Sequence, residues 1–209
     1  MIKTVFIDRD GVINQNRTDH VKCWNEFQFI PAAVQAMVDL SQSGFRLVVV
    51  TNQAVINRGM VSRETVEEIN ARMIATVENQ GGSIAACLYC PHRSEENCNC
   101  RKPQPGLFYQ ARQQFGAGLI GDYLIGDHIN DIEAGRKAGC LSGLVLTGRG
   151  KQAWRDMPDH FRASLPVWSD LQAAARWIIA YESVNLIAST PSFFLLNQMH
   201  NQNRVYECV

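Results

Sequence analysis

The chain has 209 residues, of which 46% are hydrophobic and 19% are charged, a balance typical of a globular domain. Its 20 basic and 20 acidic residues cancel, so the overall charge gives no reason to expect binding to nucleic acid or to a membrane. No apolar run reaches the roughly 18 residues of a membrane span, and the start MIKTVFID does not resemble a secretory signal. We therefore expect a cytoplasmic protein and a monomer.

Apolar runs alternate with helix-like segments along the chain. Short buried strands are predicted at residues 2–7, 45–50, 84–89, 122–126, 141–146 and 166–168. Helices are predicted at residues 32–40, with Pro31 at the start, and at 62–79, 105–115, 131–138 and 170–181. This alternation predicts an α/β fold, a Rossmann-like doubly wound parallel sheet with helices on both faces. We expect one domain over residues 1–182, followed by a C-terminal tail, 183–209, of unknown role.

Polar side chains stand where three of the predicted strands end. Asp8 and Asp10 follow the first strand, Thr51 follows the second, and Asp127 follows the fourth. In an open parallel sheet, functional sites lie at the carboxyl ends of the strands. The two-residue spacing lets Asp8 and Asp10 face one pocket while Arg9 turns away. Two crowded carboxylates favour a bound divalent cation, and with Asp127 the oxygen ligands suit Mg²⁺.

These residues carry a resemblance to the phosphatases of the haloacid dehalogenase (HAD) superfamily, over about residues 1–150. The four motifs of that superfamily correspond here to Asp8-Arg9-Asp10-Gly11, Thr51, Lys102, and Asp127 with Asp131. The resemblance implies that Asp8 attacks phosphorus and forms an aspartyl-phosphate, while Asp10 first donates and then accepts a proton. It also implies that Mg²⁺ is bound by the side chains of Asp8 and Asp127 and by the main-chain carbonyl of Asp10.

The remaining motif residues would position the phosphoryl group. The resemblance implies that Thr51 and the main chain of Asn52 hydrogen-bond the transferring oxygens, and that Lys102 supplies a fixed cation. Asp131 either orients Lys102 or a metal-bound water, or only interacts favourably with the dipole of the helix that it begins.

Three cysteines and one histidine lie within a short loop, residues 89–104. The four candidate metal ligands are Cys90, His92, Cys98 and Cys100. A Cys₃His set suits a closed tetrahedral Zn²⁺ site, and in a reducing compartment such a cluster favours metal over disulfides. A redox role lacks support, because the cluster contains no Cys-x-x-Cys pair. Zinc would order the zinc-binding loop and direct Arg101 and Lys102, which follow the last ligand, towards the phosphate pocket.

The same loop narrows the resemblance. Together with DRDG and TNQ, the pattern Cys-x-His…Cys-x-Cys-Arg-Lys-Pro resembles the D-glycero-D-manno-heptose 1,7-bisphosphate 7-phosphatases, with histidinol-phosphate phosphatases as their sister group. The segments after Asp10 and Thr51 are too short for a separate cap domain. The resemblance implies that Arg101 contacts the sugar.

Other substrate-binding candidates are Asn52, Gln53, Arg58 and His128. Arg58 is our candidate for a second phosphate, because arginine binds phosphate in a bidentate manner and Gly59 allows a tight turn. Two positions depart from the family pattern: Val55 replaces a glycine, and His128 replaces a lysine. If His128 takes the role of that lysine, phosphate affinity should weaken above about pH 7.

The function expected from the sequence is that of a Mg²⁺-dependent sugar-phosphate phosphatase with a structural zinc. Three alternatives stay open: histidinol phosphate or a broader range of sugar phosphates as substrate, a phosphomutase, and a receiver-like module with a phosphorylatable aspartate. A receiver must keep its phosphate, so an acid/base group such as Asp10 argues against that alternative. A phosphomutase usually carries a cap that excludes water, and no segment of this sequence is long enough to form one.

Overall fold

A parallel β-sheet forms the centre of the computed structural model, which describes residues 2–116 and 118–188. Its six strands are β1 (Thr4–Ile7), β2 (Arg46–Asn52), β3 (Ala86–Cys90), β4 (Tyr123–Gly126), β5 (Leu141–Val145) and β6 (Val167–Trp168). They lie in the order β3-β2-β1-β4-β5-β6, and every neighbouring pair is parallel.

Seven α-helices connect the strands or follow them in the described part of the chain. They are α1 (Ala33–Gln42), α2 (Arg63–Glu78), α3 (Gly106–Phe115), α4 (Ile129–Ala138), α5 (Gly150–Asp156), α6 (Asp159–Arg162) and α7 (Leu171–Ala188). A division between two units of the chain falls between Ala175 and Arg176, within α7. No helix among the described residues has the length and apolarity that crossing a bilayer requires.

Alternation along the strands divides the core between the two faces of the sheet. Phe6, Val48 and Leu124 pack against α3 and α4. Their neighbours along the strands are also fully buried but point to the opposite face, where α1 packs on β2 and α2 packs on α1. Both faces are therefore covered, which is why the strand sequences are continuous apolar runs. The predicted fold class is confirmed.

The order of the strands explains where polar residues gather. The chain winds outward from β1 to β3, then returns to the other side of β1 with β4 and winds outward again. The strand order reverses between β1 and β4, and in such sheets the crevice at this point is the usual binding site. Asp8 and Asp127 follow these two adjacent strands, so the topology makes them neighbours.

Most predicted elements are present with small shifts of their ends, and three differences matter. Helix α1 begins at Ala33 and not at Pro31, because Ala32 takes a left-handed conformation with φ 61°. Helices α5 and α6 had not been predicted. Helix α7 continues to Ala188, so the boundary predicted between residues 182 and 183 lies within a helix. Residues 189–209 of the predicted tail lie outside the described residues, and its role stays a prediction.

Candidate active site

A polar cleft of about 150 Å³ lies at the carboxyl ends of the central strands. It brings together every residue that the sequence nominated for catalysis or substrate binding: Asp8, Asp10, Thr51, Asn52, Gln53, Arg58, Arg101, Lys102, Asp127 and His128. They come from the ends of β1, β2 and β4 and from the loop after β3. Segments more than 100 residues apart in the chain thus share one cleft.

Asp8, Lys102 and Asp131 form a buried ion-pair network in this cleft. The Lys102 ammonium lies 2.6 Å from Asp8 Oδ1 and 2.7 Å from Asp131 Oδ1, and it donates to the Val50 carbonyl at 2.7 Å. Burial raises the pKa of Asp8 to about 7, although the charge of Lys102 opposes the rise. Burial alone would lower the pKa of Lys102, but the charges of Asp131 and Asp8 outweigh it and raise that pKa. Lys102 therefore stays a cation, and Asp131 contacts it directly.

Three carboxylates are crowded beside this lysine. Asp8, Asp127 and Asp131 each place one oxygen within 4.8 Å of the others, and all three residues are buried. Burial, reinforced by the charge of Asp8, raises the pKa of Asp127 to about 8. The protein alone therefore compensates these negative charges incompletely, and a divalent cation bound by the oxygens would complete the compensation. A set of hard oxygen donors fits Mg²⁺.

Backbone geometry fixes the position of Asp127. Gly11 has φ +98° and lies so close that a Cβ on it would collide with the Asp127 carboxylate. Glycine meets both requirements, because it has no Cβ and adopts positive φ without strain. From the other side, the main-chain N–H of Arg149 donates to Asp127 Oδ2 at 2.7 Å.

The Asp10 carboxylate receives hydrogen bonds from three side chains. Arg9 donates to both of its oxygens at 3.1 and 2.9 Å, Asn14 donates at 2.9 Å, and Gln53 donates at 2.7 Å. Burial alone would raise the pKa of Asp10, but the Arg9 charge and these hydrogen bonds outweigh it and lower the pKa. Arg9 does lie outside the cleft lining, as expected, but its guanidinium turns back to hold Asp10.

The end of β2 is tied to the loop that carries Lys102. The Asn52 side chain accepts from the Lys102 main-chain N–H and donates to its carbonyl, both at 3.1 Å. Gln53 donates to Thr51 Oγ1 at 3.0 Å as well as to Asp10. Both amides, nominated as substrate ligands, thus already make contacts within the protein that organise the cleft.

The Cys/His cluster is assembled as the spacing predicted. Cys90, Cys98 and Cys100 have sulfur–sulfur distances of 3.1–3.5 Å, and His92 Nδ1 lies 3.5 and 3.3 Å from two of the sulfurs. Around a tetrahedral metal with bonds of about 2.0–2.3 Å, such ligand–ligand distances would be about 3.5–3.8 Å. The four atoms therefore fit one tetrahedral ion after shifts of a few tenths of an ångström.

Several cations surround the mouth of the cleft. Arg58 is exposed and lies 3.2 Å from His20 Nε2, and Arg101 donates to the His92 carbonyl at 3.1 Å. The sequence did not nominate Arg149, which also lines the cleft and whose side chain is exposed. Arg149 stands shortly after β5, so the rule applied to the other strand ends would have found it.

His128 has a second role in the structure. It lines the cleft, but its Nδ1 accepts from the Asn130 main-chain N–H at 3.2 Å and so caps helix α4. Burial lowers the pKa of His128, although the charge of Asp131 opposes this. The His128 ring thus already has one partner in the protein, and its role towards a phosphate stays a prediction.

The doubly wound sheet and the Asp8–Lys102–Asp127 cleft at its switch point define the class of HAD-like hydrolases. A family model for HAD-hydrolase-like proteins matches residues 99–174.

Two relatives with assigned names indicate a particular group of phosphatases within this class. A D-glycero-beta-D-manno-heptose-1,7-bisphosphate 7-phosphatase of Pseudomonas aeruginosa is 40% identical over 146 residues, 70% of this chain and 82% of the relative. The Bordetella bronchiseptica enzyme of the same name is 33% identical over 180 residues, 85% of this chain and 98% of the relative.

A solved structure agrees with these sequence matches. The D,D-heptose 1,7-bisphosphate phosphatase of B. bronchiseptica, complexed with magnesium and phosphate, matches with a TM-score of 0.81 and 32% identity, covering 86% of this chain and 99% of that chain. The chain belongs to the family of these phosphatases.

Proposed function

We propose that the protein is a Mg²⁺-dependent phosphatase that hydrolyses D-glycero-D-manno-heptose 1,7-bisphosphate at the 7-position through an aspartyl-phosphate. The observation that carries the proposal is the meeting of Asp8, Asp10, Lys102 and Asp127 in one cleft. The named relatives support the substrate.

The chain supplies a nucleophile and a proton carrier on neighbouring residues. An Asp8 oxygen forms a bond to phosphorus while the bond from phosphorus to the sugar oxygen breaks, and Asp10 gives its proton to that oxygen. Water then attacks phosphorus and gives a proton to Asp10, and the bond between Asp8 and phosphorus breaks to release phosphate. An anionic phosphate beside Asp10 raises the pKa of that carboxyl by like-charge repulsion, which favours the protonated form in the first step.

Lys102 and the crowded carboxylates prepare the cleft for a phosphoryl group. Asp8 and Asp127 would hold Mg²⁺ with the main-chain carbonyl of Asp10, and the ion would neutralise charge on the transferring oxygens when bound. The positive charge of the ion would also offset the effect of burial on the pKa of Asp8, and so keep that carboxylate ionised as a nucleophile. Thr51 and Lys102 also line the cleft, and they would contact the remaining oxygens.

The Cys/His cluster would hold a structural Zn²⁺. All four ligands come from the protein, so the ion keeps no open position for chemistry. Arg101 and Lys102 follow the last cysteine directly, and Asn52 joins the Lys102 backbone to β2. Zinc would thus stabilise the loop that places two cations in the cleft.

The cations at the mouth of the cleft favour a substrate with a second phosphate. Arg58 and Arg101 both line the cleft, and Arg58 Nη1 lies 3.2 Å from His20 Nε2, a ring whose pKa is lowered by burial. Histidinol phosphate remains the second candidate, because the same zinc loop occurs in both groups.

A substrate panel tests the proposal. We expect kcat/KM with Mg²⁺ to be highest for the 1,7-bisphosphate of the heptose, compared with histidinol phosphate and fructose 1,6-bisphosphate, and Asp8→Asn to abolish turnover of all three. Similar values for the three esters would refute the dedicated substrate. An Asp8→Asn variant as fast as the parent would refute the phosphatase mechanism itself.

A further inference from the structure

A buried chain of hydrogen bonds leads from helix α2 to the Asp10 carboxylate. Arg9 Nη1 donates to Asn70 Oδ1 at 3.0 Å, while Arg9 Nη2 donates to both Asp10 oxygens at 3.1 and 2.9 Å. Arg9 is 1% exposed and Asn70 is 5% exposed, so solvent does not weaken these contacts. The guanidinium also lies 5.8 Å from the centre of the Phe27 ring.

The geometry of the Arg9 guanidinium allows it to orient the Asp10 carboxylate and not only to neutralise its charge. A guanidinium is planar, so fixing Nη1 on one partner fixes the direction in which Nη2 donates. Asn70 stands on the buried face of the 16-residue helix α2, which is a rigid support. Only the oxygen of Asn70 takes part, since Asn70 Nδ2 has no hydrogen-bond partner among the described residues.

We propose that Asn70 and Arg9 are positioning residues for proton transfer by Asp10. The proposal rests on the phosphatase function proposed above and deepens it. Asn70 fixes the Arg9 guanidinium, which holds the Asp10 carboxylate at the angle needed to reach the sugar oxygen in the first step and the attacking water in the second. Neither Arg9 nor Asn70 lines the cleft, so both act through Asp10.

A comparison of leaving groups separates this role from a general structural one. p-Nitrophenolate leaves without a proton, so kcat/KM for p-nitrophenyl phosphate reports aspartyl-phosphate formation without the acid, whereas a sugar oxygen needs it. Proton transfer contributes about 10²–10⁴-fold, and loss of alignment removes part of this. We expect Asn70→Leu to lower kcat/KM about 10- to 100-fold for the best sugar phosphate, and less than about threefold for p-nitrophenyl phosphate.

The second half-reaction gives an independent signature. Hydrolysis of the aspartyl-phosphate needs Asp10 as base whatever the leaving group was. In rapid mixing with p-nitrophenyl phosphate, Asn70→Leu should therefore release about one equivalent of nitrophenolate in a burst, followed by slow turnover. A folding defect would lower all rates together and would produce no burst.

Matched variants complete the test. Asn70→Asp keeps the accepting oxygen and should keep the leaving-group ratio within a few-fold of the parent, and Arg9→Lys, which cannot hold both partners, should reproduce the effect of Asn70→Leu. Arg72→Leu is the control, because Arg72 is exposed on the same helix and contacts Glu68 and the half-buried Trp24 rather than Arg9 or Asp10. Thermal melting identifies the variants that fold.

Two results would overturn the inference: equal losses on both esters in every folded variant, or Asn70→Asp as impaired as Asn70→Leu. If the parent hydrolyses neither ester, the proposed function fails instead. If the parent is active and Asp8→Asn is not, the function stands whatever the Asn70 variants show.

Discussion

Replacement of Lys102 by methionine would remove the only cation that lies between the carboxylates of Asp8 and Asp131 in the described part of the cleft. The Lys102 ammonium makes contacts of 2.6, 2.7 and 2.7 Å, and the residue is 2% exposed, so solvent screens these contacts little. Methionine has a similar length but no charge and no donor. The variant thus leaves two buried carboxylates without their partner, beside a third, Asp127.

The cost follows from the burial of this pair and depends on pH. Removal of one partner of a buried ion pair costs about 3–5 kcal/mol. The charge of Lys102 lowers the pKa of both Asp8 and Asp127, which are about 7 and about 8 with the lysine in place. Without Lys102 both pKa values rise further, and each pKa unit adds about 1.4 kcal/mol at high pH to the loss in the free energy of unfolding. Both acids already have a higher pKa folded than unfolded in the parent, and the variant raises both further, so lowering the pH from above about 8 stabilises the folded variant more than the parent and narrows the difference between them.

Urea unfolding of the parent and of Lys102→Met, without divalent cations, measures this effect. We expect the free energy of unfolding of Lys102→Met to be about 3–5 kcal/mol below that of the parent near neutral pH, with a larger difference at about pH 8.5 and a smaller one at about pH 5.5. Lys151→Met is the matched control: Lys151 is exposed and lies outside the cleft lining, so its loss should cost less than about 1 kcal/mol. A deficit below about 1 kcal/mol for Lys102→Met, or one that grows as the pH falls, would refute this reasoning.

Two further predictions concern the zinc loop and the second phosphate. Cys98→Ser should lower the zinc content below one ion per chain and should lower the melting temperature and kcat/KM with it. Elemental analysis and thermal melting measure these changes, and Cys23→Ser, at an exposed cysteine, is the control. Full retention of zinc by Cys98→Ser would contradict the prediction. Arg58→Ala should raise KM about 10- to 100-fold for a bisphosphate and far less for a monophosphate, because one charge-assisted contact is lost. Arg63→Ala, outside the cleft lining, is the control, and equal effects on both substrates would eliminate the role of Arg58.

Much of the site could be predicted because strand ends carry a local signal. In a parallel sheet buried on both faces, polar residues directly after an apolar run stand out, as Asp8, Thr51 and Asp127 do. The Cys/His cluster was equally visible, since its four ligands lie within eleven residues. Helices α5 and α6 gave weaker signals because both are short, with seven and four residues.

The sequence by itself determined which side chains stand at the ends of the strands and in the metal-binding loop, because both depend on short-range order along the chain. Only the tertiary structure decided their partners and charges. Arg9 holds Asp10 because α2 brings Asn70 to it, and the His128 ring caps α4 in surroundings whose burial lowers its pKa. The contact between Arg9 and Asn70 joins residues 61 positions apart, and the burial of His128 depends on the whole packed fold, so no local pattern could have predicted either.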